Sequence, residues 1–259
     1  MYLAYQISVR IIILIFMQVN ALVAIAAMNA ASERFPTLTD LEQMRKILSP
    51  LSMMESSSVQ EARHHTRAQC NALGAIASFC RREDMLEPAR VLIQDTEALS
   101  KSIEFASHSS QVVRAAAADA ACSMLSHSYY GTEAKNEAAK LGLISSFISS
   151  LCRNNAIATQ EGLPEGKKEE GRESEMLMLL CIGMMIQQDQ EGQEFIANNA
   201  ASIGYILACV RQKDDADIHI VAKEILGVLA SNKVLQEQLT QSIRAAQESH
   251  QTNIAYSVP

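Results

Sequence analysis

Apolar residues recur along this chain at steps of three and four, which is the spacing of one face of an α-helix. Residues 62–80 contain one such stripe, formed by Ala68, Ala72, Leu73, Ile76, Ala77 and Phe79. Further amphipathic helices are predicted at 40–48, 95–106, 141–151 and 200–210, with short polar links at 55–58, 107–110 and 212–215. Because every strongly periodic segment has the helical period, the pattern predicts an all-α fold in which a helix, a short turn and a longer helix alternate.

A short sequence recurs along the chain. Residues 19–26 (VNALVAIA) and 70–77 (CNALGAIA) are identical at six of eight positions. Looser copies follow, and their aligned anchor positions are Ala21, Ala72, Ala120, Cys181 and Ile225, at spacings of 51, 48, 61 and 44 residues. Spacings near this length are typical of helical repeats that stack into a solenoid.

Two of these segments carry a resemblance to a known family. Residues 139–148 (AKLGLISSFI) resemble the second helix of an armadillo repeat, and residues 225–232 (ILGVLASN) resemble the third. The resemblance extends over about residues 15–245 and fits HEAT repeats as well as armadillo repeats. It implies a right-handed superhelical solenoid of about five armadillo-like repeats over residues 1–245, followed by a polar C-terminal tail at 246–259.

The longest spacing contains a polar segment. Residues 154–174 are rich in Glu, Lys, Gly and Asn, and they contain too few apolar residues to offset the entropic cost of ordering. We therefore predict that they form a flexible loop inserted within one repeat.

The first thirty residues permit two interpretations. Residues 11–28 are an 18-residue, mostly apolar run preceded by Arg10. Asn20 in this run corresponds to Asn71 in the downstream copy, which favours a repeat helix. The length and the small residues at 27–30 are also compatible with a membrane or signal segment, which would tether the protein to a membrane.

The charge balance limits the classes of function that the protein can have. The net charge is −7, and residues 92–259 carry 13 basic against 21 acidic side chains. This balance lacks the basic stripe that non-specific nucleic-acid binding requires.

None of the six cysteines forms a C-x-x-C pair, and most lie in apolar helical runs. That usage predicts a reducing compartment, the cytosol or the nucleus, and we expect a cytoplasmic protein.

Motifs for chemistry are missing from the sequence. It contains no phosphate-binding glycine loop, no H-E-x-x-H and no G-x-S-x-G. His64 and His65 are adjacent and would point about 100° apart on a helix, which does not form one metal-binding face. We therefore expect a protein that is not an enzyme and uses no metal or cofactor.

The best-known armadillo proteins, those of the importin-α type, bind basic peptides through a Trp and an Asn on each third helix. Here the positions of the Trp hold Val23, Gly74, Cys122, Gly183 and Gly227. The positions of the Asn hold Ala27, Ser78, Ser126, Gln187 and Ser231. The resemblance thus implies a groove without the nuclear-import chemistry. The three glycines permit two explanations: close packing between repeats, or a shallow groove floor that a partner can approach.

The candidate binding surface follows from the same register. On the long helix of the second repeat, polar residues recur at steps of three and four on the face that lines the concave groove in armadillo arrays. The candidate partner-binding residues are Arg67, Asn71, Gly74, Ser78, Arg114, Ser126, Gln187, Lys223 and Ser231. They form either a solvated face or a groove that clamps an extended or acidic peptide.

These features predict an interaction scaffold that binds protein partners along the groove. The alternative is an armadillo-type stimulator of nucleotide dissociation from a small GTPase, which a nucleotide-release assay would distinguish.

Overall fold

The structure is a computed structural model, and it describes residue 51 and residues 59–94, 97–161, 165–212 and 215–256. These residues form eleven α-helices and no strand. The helices are α1 (Val59–Cys80), α2 (Leu86–Gln94), α3 (Ala98–Phe105), α4 (Gln111–Leu125), α5 (Gly131–Lys140), α6 (Leu143–Glu161), α7 (Glu165–Met185), α8 (Gln190–Ala197), α9 (Ala200–Arg211), α10 (Ala216–Ser231) and α11 (Gln236–Tyr256). The all-α prediction is confirmed for this part of the chain.

The helix order shows triplets that the apolar pattern did not predict. After α1, short helices of 9, 10 and 8 residues (α2, α5 and α8) each precede a second helix and then a third that is the longest of its triplet. The pattern predicted the second and third helices and missed the first. The reason is visible in α5, whose sequence GTEAKNEAAK offers only alanines as apolar residues.

Three consecutive helix starts are set by a local side chain. Asp189 accepts a hydrogen bond from the backbone N–H of Gly192, and Asp215 accepts one from the N–H of Ile218. Asn199 accepts from the N–H groups of Ala201 and Ser202. Each of these caps satisfies backbone donors that an α-helix leaves unpaired at its start, and a cap of this kind is worth about 1 kcal/mol.

The chain divides into two compact units, one ending at Ala134 and one beginning at Lys135. In the first unit, α1 packs against α4, and α3 packs against α4. The predicted stripe on α1 is buried throughout, and its largest members, Leu73, Ile76 and Phe79, are at most 2% exposed. They pack in the core with Met124 and Leu125 of α4, which are also buried.

In the second unit, long helices again pack against long helices. Helix α7 contacts α10, and the middle helices α6 and α9 contact each other. The last helix, α11, packs on α9 and α10. Leu143, Ile144, Phe147 and Ile148 of α6 are completely buried in this core.

The segment at 154–174 differs from the predicted loop. Helix α6 continues to Glu161 and α7 begins at Glu165, so the described residues of the segment are helical. Its Glu, Lys and Arg residues are good helix formers, so the segment can form helix without an apolar stripe. The C-terminal end of the segment is also anchored, because Ser174 is 3% exposed and Arg172 Nε donates to Asp215 Oδ2 at 2.5 Å.

Helix α11 continues to Tyr256 and so includes most of the polar tail predicted at 246–259. The apolar run at 11–28, the helix at 40–48 and the first repeat lie outside the described residues. Within the described part of the chain, no helix has the length and apolarity needed to cross a membrane.

Candidate functional site

The candidate residues on α1 lie on the face opposite its buried stripe. Arg67 and Ser78 are exposed, and Asn71 and Gly74 are half-buried. Their spacing of four, three and four residues places them along one side of the helix. We call this surface, with the matching side of α4, the first face.

The space above two of the glycines is open. A Cβ built on Gly74 or on Gly227 would meet no described atom within 4 Å. Close packing therefore does not explain glycine at these two positions, and that interpretation is wrong for them. Gly183 differs, because a Cβ there would lie 3.3 Å from Cγ1 of Val221 on the neighbouring long helix.

The first face carries an ion pair between its two helices. The Arg81 guanidinium, which follows α1, pairs with the Asp119 carboxylate on α4. Asp119 occupies the position on α4 that Asn71 occupies on α1, in the register set by Ala72 and Ala120. Both side chains are partly exposed, so the pair contributes less than about 1 kcal/mol to stability. The pair does place a positive and a negative charge on the first face, which also carries Gly74.

Three of the predicted site residues are serines that bond to their own helices. Ser78 Oγ donates to Gly74 O at 2.7 Å, and Ser231 Oγ donates to Val228 O at 2.7 Å. Ser126 caps α4, and its Oγ donates to Ser123 O at 3.4 Å. Since each hydroxyl proton is used within the helix, these side chains offer a partner only their acceptor lone pairs.

Arg114 is not brought to the first face. Its Nη1 donates to His108 O at 2.9 Å and to Ser109 O at 3.0 Å. Burial lowers the pKa of this guanidinium, which is consistent with its place beneath the turn. Arg114 therefore closes the connection between α3 and α4. The sequence could not show this, because the receiving groups are backbone carbonyls.

In the second unit, the corresponding surface is formed by α7 and α10, and we call it the second face. Gly227, Lys223 and Ser231 are exposed on α10, and Gly183 is half-buried on α7. Gln187 is exposed and lies in the turn just beyond α7.

Sequence reasoning missed two residues of the second face. Ile220, which is 53% exposed, lies two turns before Gly227 on α10, and Glu224 lies one turn before it. They occupy the positions that Arg67 and Asn71 occupy on α1. The repeat register alone would have found them.

A buried polar cluster in the second unit belongs to the core. Tyr205 Oη donates to Glu175 Oε1 at 2.5 Å. Burial raises the pKa of the Glu175 carboxyl and of the Tyr205 hydroxyl, and it raises the pKa of the Cys209 thiol to about 12. A thiol with so high a pKa stays protonated and is a poor nucleophile. The cluster joins α7 to α9 and lacks the properties of an activated site.

Metal chemistry finds no support in the described residues. None of their His, Cys, Asp and Glu side chains form a group of three that could hold a metal ion. The two faces offer a partner hydrogen bonds, charge and apolar contact.

Comparison with known proteins gives a structural likeness but no family. No family model matches this sequence, and no curated protein matches it. Among solved structures, the chain is similar to a crystal structure of an engineered protein from a structural genomics consortium, with a TM-score of 0.51. The alignment covers 89% of each chain at 17% identity. This likeness supports an all-helical fold and carries no information on function.

Proposed function

We propose that this protein is an armadillo-like scaffold that binds other proteins along the exposed side of its long third helices. Support comes from the order of the helices, in which two helices and then a longer third helix recur. It also comes from their packing, since long helices contact long helices within each unit. An array of about five such repeats in a right-handed solenoid is the architecture that this proposal assumes.

The main support for the proposal is the open space above Gly74 and Gly227, where an added Cβ would meet no described atom within 4 Å. Gly in the interior of a helix costs about 1 kcal/mol relative to Ala, and nothing in the described structure requires it at these positions. A surface without Cβ atoms lets the backbone or helix of a partner approach closely. The polar residues on the same side, Arg67, Asn71 and Glu224, supply hydrogen-bonding groups and charge at the edge of that open space.

The proposed mode of action is binding without catalysis. The six cysteines are free thiols, which supports the proposed location in the reducing cytoplasm. Partner recognition on the first face would combine hydrogen bonds with the Arg81–Asp119 charges. On the second face, exposed Ile220 would add apolar contact.

The test is quantitative affinity capture with matched variants. The full chain, Gly74→Leu and Gly227→Leu are compared with Ser100→Leu and Ala208→Leu, which place the same side chain on exposed positions of α3 and α9. We expect at least one protein to bind the wild type and both controls and to be lost from a glycine variant. Circular dichroism verifies that each variant is folded. If every captured protein binds the glycine variants as well as it binds the controls, the faces are not the working surfaces.

A further inference from the structure

The second unit contains an open cleft away from the two faces. It lies where α8 ends and α9 begins, and its volume is about 600 Å³. Its lining includes Glu191, Glu194 and Phe195 of α8, together with Ala200 and Ala201 at the start of α9. The small alanines leave room for the stem of an inserted side chain.

Phe195 lines this cleft instead of packing in the core. The other phenylalanines in the described part of the chain, Phe79, Phe105 and Phe147, are at most 7% exposed, whereas Phe195 is 36% exposed. The buried side of α8 is formed by other residues, among them Ile196 and Ala197. An aromatic ring that faces an open cleft presents a surface for stacking.

Two carboxylates flank the ring. Glu191 lies one turn before Phe195 on the same side of α8, and Glu194 precedes the ring directly. Glu194 Oε1 accepts a hydrogen bond from Gln190 Nε2 at 3.0 Å, which leaves Oε2 available. None of the residues lining this cleft is Lys or Arg. The cleft therefore has a negative potential beside an aromatic face.

The N-terminus of α9 does not make this cleft a binding site for anions. A helix N-terminus attracts anions through its unpaired N–H groups. Here the N–H groups of Ala201 and Ser202 already donate to Asn199 Oδ1, at 3.0 and 3.2 Å. With those donors satisfied, the glutamates determine the charge that the cleft prefers.

We propose that this cleft binds a single arginine side chain of a partner polypeptide. The planar guanidinium stacks on the Phe195 ring, and its N–H groups reach the Glu191 and Glu194 carboxylates. Lysine fits less well, because its ammonium group is more strongly hydrated and cannot stack. The site is separate from the two faces and stands independently of the proposed scaffold function.

The test is a titration of the ¹⁵N-labelled full chain followed by NMR. The probe is the pentapeptide acetyl-Gly-Ser-Arg-Ser-Gly-amide, and the reference peptide has neutral citrulline, of nearly the same shape, in place of arginine. We expect the arginine peptide to shift the amide signals of Asn199, Ala200 and Ala201, with a dissociation constant near ~1 mM. The citrulline peptide and a lysine peptide should each bind at least about fivefold more weakly.

Variants separate the two contacts. Glu191→Gln with Glu194→Gln removes the charge, and Phe195→Leu keeps an apolar side chain without the aromatic face. Each should weaken binding about fivefold or more, whereas Glu237→Gln, an exposed change on α11, should not. The proposal is overturned if citrulline binds as well as arginine, if the variants bind as the wild type does, or if no shift is seen at these amides.

Discussion

The Nδ2 group of Asn232 donates a hydrogen bond to Oε1 of Gln193 at 2.8 Å, which joins the turn after α10 to helix α8. Gln193 continues the connection, because its Nε2 donates to Ile186 O at 2.6 Å. Gln193 is 7% exposed, and Ile186 lies in the turn after α7. The two turns that follow long helices in this unit are therefore linked through one amide side chain.

Replacing Gln193 should destabilise the second unit. Gln193→Leu leaves Ile186 O and Asn232 Nδ2 without their partner, and we expect a loss of about 2 kcal/mol in the free energy of unfolding. Gln188→Leu, at an exposed position of the same connection, is the control. Urea denaturation monitored by circular dichroism measures the difference. Equal stability of the two variants would contradict a structural role for this amide.

Alanine should stabilise the protein at the two open glycines. Gly74→Ala and Gly227→Ala each remove backbone entropy from the unfolded chain and add no clash, so we expect gains of up to about 1 kcal/mol. Thermal melting would show this as a higher Tm. A lower Tm for either variant would mean that the added Cβ clashes with neighbouring atoms.

Alanine should be less favourable at Gly183 than at Gly74 or Gly227. Gly183→Ala places its Cβ against Val221 Cγ1, so its gain should be smaller than that of Gly74→Ala, or negative. Val221→Ala removes that methyl group. In the Val221→Ala background, Gly183→Ala should therefore recover up to about 1 kcal/mol, the gain expected at an unhindered helical position. Additive effects of the two substitutions would exclude this contact as the cause.

The His127 ring makes stability depend on pH in the first unit. Its Nδ1 accepts hydrogen bonds from the N–H groups of Tyr129 and Tyr130 at 3.2 and 3.1 Å, and only an unprotonated Nδ1 can accept them. Burial lowers the pKa of His127. The unfolded chain therefore takes up this proton at a higher pH than the folded chain does. The stabilisation is present above the unfolded pKa of about 6.5 and is lost as the pH falls through the folded pKa.

The variant His127→Asn isolates this effect. Asn places a non-titrating acceptor oxygen at the position of Nδ1, so it keeps the two hydrogen bonds. Between pH 7 and pH 5.5 the wild type should lose stability relative to this variant, by at most about 1.4 kcal/mol per pH unit. Urea denaturation at several pH values gives the two slopes. Parallel curves would show that the ring does not titrate on unfolding.

The Tyr205 hydroxyl should matter most when Glu175 is ionised. Burial raises the pKa of Glu175, and the hydrogen bond from Tyr205 partly opposes that rise. Tyr205→Phe should cost about 2 kcal/mol at pH 7, because it leaves a buried carboxylate without its donor. The cost should shrink as the pH falls towards 4.5 and Glu175 is protonated. In a Glu175→Gln background, the same substitution should be milder and independent of pH, which urea denaturation at both pH values can establish.

The sequence predicted the core better than the surface. The stripe that includes Leu73, Ile76 and Phe79 is buried as its period indicates, because helix packing follows local spacing of apolar residues. The helices at 154–174 were missed, because apolar periodicity does not report helix formation where apolar residues are sparse.

Prediction of the candidate site was limited because the repeat register does not show the hydrogen bonds and ion pairs of individual side chains. The repeat register aligned Gly74 with Gly227, and at both positions an added Cβ would meet no described atom within 4 Å. It could not show that Arg114 bonds to the backbone of a preceding turn, or that Arg81 pairs with Asp119 on another helix. The bonds of Arg114 use backbone carbonyls, which carry no sequence signal, and the Arg81–Asp119 pair depends on tertiary structure, which a single sequence does not reveal.

The side-chain caps at Asp189, Asn199 and Asp215 have a consequence for folding kinetics. Each forms a hydrogen bond with an N–H only two or three residues away, so it can form before any tertiary contact exists. The helices that they start also pack on one another in chain order, α8 on α9 and α9 on α10. Contacts of low sequence separation require little loop closure, and proteins that rely on them fold within microseconds to milliseconds. Residues 189–231 should therefore be among the earliest parts of the chain to acquire native structure.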